Sequence, residues 1–495
     1  MITRLRISGF KSLVEVDLRL GPFTCIAGAN GSGKSNLFDA IHLLSALAAG
    51  DTLLDAARKV RDAGERSPDI RSLFSHHGAD YAERITFTVD LIIPYEGVDR
   101  MGLPVTATTT FVRYHLALGY HEEVDGALNR GGLILLEEDL RYIPKSSAAK
   151  ELRYPHSKEW RNAVITGERR SPFISTEMNE GQHWIKVHQD GQQGRARKVP
   201  AENLLRTILS ESFALESPTA ALVRHEMLAW RLLQLEPTAM RRASNFDDPK
   251  FLGSDGSHLP ATLYRLAKQS AERVGGAAEV GEGQIYSQIA NRLAQLLEDV
   301  REVRVERDDK RELLTLEVAG KDGAFHAARS LSDGTLRFLA LSVLEAGGDE
   351  GVICLEEPEN GIHPLRIEPM IELLTDITVD AEQPADKDNP LRQVIINTHA
   401  PSVVQQIGAE ALLLAELQPQ IGTDGQSFSA TIFRALSGTW RTKYIEDVPP
   451  AITRSQLLAY LNPLAVPPEE QGGRVIDRPE MREQLLLDFA EVPEA

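Results

Sequence analysis

Two groups of residues in this chain have the types and spacing that phosphate chemistry requires. The first is Gly28-Ala29-Asn30-Gly31-Ser32-Gly33-Lys34-Ser35, which satisfies GxxxxGK[ST]. Its glycines let backbone N–H groups turn inward around phosphate oxygens, and a helix beginning at its end adds the positive end of its dipole. Lys34 suits the β- and γ-phosphates of a nucleotide, and the Ser35 hydroxyl suits Mg²⁺. Gly28, Asn30, Gly31, Gly33, Lys34, Ser35 and Asn36 are therefore the expected nucleotide-binding residues.

The second group lies about 300 residues later. Val352-Ile353-Cys354-Leu355 is a short apolar run of the kind a buried parallel strand makes, and it ends in Glu356-Glu357-Pro358. A carboxylate at such a strand end can hold Mg²⁺ through its water shell, and the next can polarise an attacking water. This assigns Glu356 to the metal and Glu357 to general base or water positioning. Upstream, Leu331-Ser332-Asp333-Gly334-Thr335 precedes a helical run. Downstream, His399 ends the strand-like Val394-Ile395-Ile396-Asn397. Taken singly, Ser332 is also an ordinary helix cap and His399 an ordinary strand-end histidine. In this order, Ser332 and the helix N-terminus become phosphate contacts and His399 a donor to a γ-phosphate.

These residues need elements to hold them. Phe23 to Ala27 is a short buried strand before the glycine turn, and Leu37, Ile41, Leu44 and Leu47 mark a helix after it. Alternating runs at 83–94 and 107–120, with Leu133 to Ile143, predict an antiparallel sheet beside the nucleotide core. Helical periodicity returns at 221–237, 259–266 and 285–300, and no heptad pattern lasts long enough for a long coiled coil. The expected divisions are an N-terminal half of the catalytic head (1–144), a basic insertion (145–203), a helical region (204–300), a C-terminal half of the head (301–440) and an extension (441–495) with a short helix near 479–490.

Composition narrows the function classes. The 495 residues are 42% hydrophobic and 25% charged, which excludes a disordered or fibrous chain. No apolar run of eighteen residues is present and the N-terminus has no secretory pattern, so the expected location is cytoplasmic, with no membrane contact. Cys25 and Cys354 both lie in apolar runs and read as inert core thiols. A net charge of −18 argues against a protein that coats nucleic acid. Residues 141–206, however, carry 13 Lys/Arg against 7 Asp/Glu. Arg169, Arg170, Arg195, Arg197 and Lys198 are candidate nucleic-acid or anion contacts, or else a solvated face.

GANGSGKSN, LSDGT, CLEEPENGIHP and INTHAPS resemble the Walker A, signature, Walker B with D-loop, and H-loop of ABC-type ATPases. Asn36 after GKS, and Phe10-Lys11-Ser12, favour the branch holding RecF, the SMC proteins and OLD-family nucleases. More narrowly the chain is similar to compact bacterial AAA family ATPases found in anti-phage defence loci, with LEPTAMRRAS (235–244) among the similar segments. The resemblance implies an α/β head, with a mixed core sheet flanked by helices and an antiparallel β subdomain. It also implies ATP and Mg²⁺ as ligands, and a homo-oligomer, at least a dimer. ATP on Lys34 and Ser35 of one subunit would face Ser332, Asp333 and Gly334 of the other, with Asn360 and His363 along the contact.

Three departures qualify the resemblance. The first Walker B acid is Glu356 rather than Asp, Asp333 stands where transporters have Gly, and no Q-loop glutamine is found near 204–210. No TOPRIM nuclease pattern follows His399, so a nuclease or toxin would come from a partner. Lys34 and Ser332 are 298 residues apart, which sets aside a transporter cassette. Two readings remain: a DNA-responsive ATPase of defence or repair, and an ATP-latched scaffold that holds and releases an effector.

Overall fold

The structure is a computed structural model. It describes residues 1–60, 70–77, 80–99, 102–121, 132–190, 196–213, 216–274, 278–297, 299–348, 350–421, 427–443 and 451–461. Arg195 and the helix expected near 479–490 lie outside the described residues.

The chain folds around a six-stranded sheet. In spatial order its strands are Arg231–Leu233, Gly351–Glu356, Arg392–Thr398, Phe23–Ala27, Leu412–Ile421 and Ser427–Ala435. The first five are parallel and the last is antiparallel. A parallel strand covered on both faces puts apolar residues on both sides, rather than on alternate positions. Phe23–Ala27 shows this directly: Ile26 packs into one core, while Cys25 and Ala27 pack into another. The strand Gly351–Glu356 divides the same way, with Val352 and Cys354 on one side and Ile353 and Leu355 on the other. Both cysteines are buried free thiols.

On one face the helix Lys34–Ala49 is buried between this sheet and an antiparallel sheet of eight strands. That second sheet runs, edge to edge, Arg197–Pro200, Gln182–Val187, Ile174–Asn179, Gly132–Tyr142, Phe111–His121, Arg84–Ile92, Ile2–Phe10 and Leu13–Arg19. Ile174–Asn179, Gln182–Val187 and Arg197–Pro200, all within the expected insertion, are thus its outer three strands. The other face of the six-stranded sheet is covered by the helices Leu259–Val274, Ala278–Leu296, Asp333–Gly347, Ile367–Asp376 and Pro401–Gln406. Among the described residues the longest helix has 19 residues, and none is long and apolar enough to cross a membrane.

One expected element differs. The helical run read through 221–237 stops at Leu228, and Arg231–Leu233 is an edge strand paired with Ile353–Leu355. The ladder offered by Gly351–Glu356 satisfies these backbone groups, and tertiary pairing overrides the helical period.

Candidate functional site

A cavity of about 410 Å³ opens where the parallel strands end, which is where open α/β sheets present loops to ligands. Asn30 to Asn36 follow the strand Phe23–Ala27 and form its floor. Of the expected ATP-binding residues, Asn30, Gly31, Gly33, Lys34, Ser35 and Asn36 line it directly. Gly28 lies behind the wall, where its N–H donates to the Thr398 carbonyl (3.1 Å).

The loop is braced from the side. Gly33 caps the helix Lys34–Ala49 at φ +88°, and a Cβ there would stand 1.9 Å from Thr431 Oγ1. Thr431 is hydrogen-bonded to Ser12 Oγ (2.6 Å), which also accepts from Asn36 Nδ2 (2.7 Å). Lys11 pairs with Asp39 of the same helix at 3.0 Å. The Phe10-Lys11-Ser12 turn therefore holds the start of the loop helix. Lys34 folds back, with Nζ donating to the carbonyls of Gly28 and Ala29 at 2.8 Å each. Burial pulls its pKa below the ordinary value, against the upward pull of Glu357, Glu359 and Glu356.

Glu356 and Glu357 end the strand Gly351–Glu356 and both face the cavity. Glu357 has φ +41°, a left-handed backbone that a β-carbon makes costly. Asn397 secures it, since the Glu357 N–H donates to Asn397 Oδ1 at 2.9 Å. Its carboxylate accepts from Asn360 Nδ2 (2.9 Å) and from His399 Nδ1 (2.7 Å). Burial pushes this carboxyl up, but the Asn360 and His399 hydrogen bonds and the nearby His399 and Lys34 charges outweigh it. Glu357 is held below the usual carboxylate range. Behind it Glu359 hydrogen-bonds Thr398, and burial raises its pKa.

The signature residues sit elsewhere. Ser332 is exposed and caps the helix Asp333–Gly347, its Oγ accepting the Thr335 N–H at 3.2 Å. Asp333 accepts from Arg241 at 2.6 Å, and Arg241 also donates to the Leu331 carbonyl. Ser332, Asp333 and Gly334 are not part of the cavity wall.

Five lining residues were not expected from sequence: Gln234, Leu235 and Glu236 after the edge strand Arg231–Leu233, Arg337 of the signature helix, and Asn397 of the strand Arg392–Thr398. Gln234 directly follows Leu232-Leu233. A polar residue directly after a short apolar run is the same signal that marked Glu356.

The basic candidates separate. Arg169 pairs at 2.7 Å with Asp190, whose side chain is fully buried, and stacks on Phe173. Lys186 pairs with Glu177, and Lys198 lies 3.7 Å from the same carboxylate. Arg170, Arg197 and Lys198 are exposed, the last two on the edge strand Arg197–Pro200.

Ser35 and Glu356 give the cavity two hard oxygen donors, the set Mg²⁺ takes when phosphate and water complete its shell. The longer Glu356 side chain still reaches the wall. Among the described residues no group of three or more His, Cys, Asp or Glu forms a metal site by itself.

Two family models match the chain. "AAA domain, putative AbiEii toxin, Type IV TA system" matches residues 184–405, and "RecF/RecN/SMC N terminal domain" matches 1–58. An OLD nuclease of Thermus scotoductus is 46% identical over 44 residues, 9% of this chain and 8% of that protein. The DNA replication and repair protein RecF of Porphyromonas gingivalis is 48% identical over 46 residues, 9% of this chain and 13% of its own length. The chain thus matches only a small part of these relatives. Among solved structures, an Smc head bound to the C-winged helix domain of ScpA aligns over 88% of this chain and 98% of that one. Its TM-score is 0.43 and its identity 14%. With the phosphate loop, the strand-end carboxylates and the signature helix in these places, both family models support an ABC-type ATPase of the RecF/SMC/OLD branch.

Proposed function

We propose that this chain binds ATP in the cavity and hydrolyses it, with Glu357 as the residue that positions and deprotonates the attacking water. The observation that carries the reading is the Glu357 carboxylate. It is held by Asn360 and His399 at the edge of a cavity whose floor is the phosphate loop. A carboxylate kept ionised and oriented this way can accept a proton from water. Lys34 would leave the Gly28 and Ala29 carbonyls for the phosphates. Ser35 and Glu356 would hold Mg²⁺, which when bound neutralises phosphate charge.

The exposed position of Ser332 supports a head-to-tail dimer in which the signature residues meet nucleotide on a partner subunit. Such a dimer closes around ATP and opens after hydrolysis. We assign it to DNA-related defence or repair, with a nuclease or toxin effector supplied by another protein. Arg170, Arg197 and Lys198 are the candidate nucleic-acid contacts.

A second reading draws on the same surface. Arg169 and Lys186 are spent on Asp190 and Glu177, which leaves less free positive charge than the sequence count implies. That favours an ATP-latched scaffold that releases an effector protein without handling DNA. Steady-state ATP hydrolysis with and without linear double-stranded DNA separates the two, with Glu357→Gln as the blank. Stimulation by DNA supports the first reading, and slow turnover indifferent to DNA supports the second. A Glu357→Gln protein that turns over like wild type would overturn the assignment of Glu357.

A further inference from the structure

The helix Asp333–Gly347 starts with Ser332 facing outward, yet Arg337 on the same helix lines the phosphate-loop cavity of its own chain. Five residues turn an α-helix by about 140°, so one helix serves two directions. Arg337 is only 8% exposed, and its Nε is buried without a hydrogen-bond partner. The negative charges that attract it are Glu236, Asp333 and Glu359, and among the described residues it forms no ion pair with any of them. Burial outweighs their attraction and lowers its pKa. A guanidinium left this way costs stability unless an anion comes to it.

The position says which anion. Arg337 shares the cavity wall with Lys34 and Ser35, and a Cβ on Gly361 would lie 3.9 Å from Arg337 Nε. Gly361 directly follows Asn360, the residue that holds the Glu357 carboxylate. The guanidinium fork therefore lies on the side of the cavity where bond cleavage is assigned. A planar fork suits two oxygens of one phosphate better than an ammonium does.

We propose that Arg337 is a second cationic anchor in the cavity, taking the terminal phosphate of a nucleoside triphosphate bound in the same subunit. The inference rests on the ATP-binding reading above. It makes the signature helix responsive to its own chain's nucleotide: a triphosphate engages Arg337 and a diphosphate does not. The helix that presents Ser332 to a partner is then held in place by what its own cavity contains.

The test uses the full chain in the Glu357→Gln background, so that ATP persists, and measures ATP and ADP affinity with Mg²⁺ by titration calorimetry. Arg337→Met keeps most of the side-chain stem and should weaken ATP by about tenfold or more while ADP stays within about twofold. Arg337→Lys should recover part of the loss. Equal weakening of ATP and ADP, or no change in either, overturns the proposal. If Arg337→Met does not fold by circular dichroism, Arg337→Lys decides alone. A fall of the ATP-to-ADP preference by about threefold or more supports the anchor, and an unchanged preference overturns it. Failure of the underlying reading looks different: the parent protein binds neither nucleotide, or Lys34→Ala binds both as the parent does.

Discussion

His399 Nδ1 stands 2.7 Å from Glu357 Oε1, so two residues 42 positions apart share one hydrogen bond at the rim of the phosphate-loop cavity. Asn360 holds the other carboxylate oxygen, and Asn397 holds the Glu357 backbone. Glu357→Gln should retain ATP binding and lower turnover by about 100-fold or more, the usual worth of a general base. His399→Ala leaves the base in place but unoriented, so its loss should be smaller, about tenfold. Phosphate release measured at saturating ATP checks both. A His399→Ala protein as slow as Glu357→Gln would make the histidine more than an orienting group.

Lys34 waits on the carbonyls of Gly28 and Ala29, and it is the loop's only side-chain cation. Lys34→Ala should remove detectable ATP binding in a fluorescent-nucleotide titration while the thermal transition moves little. The space the lysine vacates beside the cavity lets water reach the two carbonyls it leaves.

Gly33 cannot take a side chain without strain. Its φ is +88°, and any Cβ placed on it would come within 1.9 Å of Thr431 Oγ1. Gly33→Ala should cost about 1–3 kcal/mol and weaken nucleotide binding. Adding Thr431→Ala removes the clash but not the backbone strain, so the double variant should recover only part of the stability. Denaturant melts of the three proteins test this.

Arg169 and Arg197 should respond differently. Arg169→Ala breaks a pair with Asp190, which also accepts from Thr108 and the Thr219 N–H, and should cost about 3 kcal/mol of stability. Arg197→Ala with Lys198→Ala should leave stability within about 0.5 kcal/mol. If the surface binds DNA, that pair should weaken binding and flatten its salt dependence. Unchanged affinity and salt slope would return the patch to solvated surface.

Glu138 predicts a pH effect on stability. It is fully buried in the strand Gly132–Tyr142, and it accepts from the Ile208 and Leu209 N–H groups and from Tyr114. Burial raises its pKa from the ordinary 4.5 to about 7, against the downward pull of those hydrogen bonds. Between these values the folded chain keeps a proton that the unfolded chain gives up. The contribution of Glu138 is therefore largest below pH 4.5, falls as pH rises toward 7, and is flat above. Its slope is at most about 1.4 kcal/mol per pH unit. Melting wild type and Glu138→Gln at about pH 5.5 and about pH 8, on either side of the folded value, tests it: the variant should gain less on acidification. Equal gains would place the pH dependence elsewhere.

The motifs that carry the chemistry were legible because each is a short continuous string. Gly28 to Asn36, Ser332 to Gly334 and Glu356-Glu357 can be read from local spacing and flanking apolar runs. The strand Phe23–Ala27 was legible for the same reason, since a strand buried on both faces reads as a mostly apolar run. Gln234, Glu236 and Arg337 were not. They reach the cavity only because parallel strands far apart in sequence end at one edge, and because the signature helix packs with Arg337 turned inward. The strand Arg231–Leu233 exists by virtue of its partner: Gly351, at φ +115°, lets the chain pass close to Ala229, where any Cβ would collide. Charge was the least readable feature, because counting Arg169 says nothing of Asp190. The sequence by itself determined which residues can touch a phosphate. The tertiary structure decided which of the remaining charges are free, since burial and pairing depend on neighbours that no local pattern records.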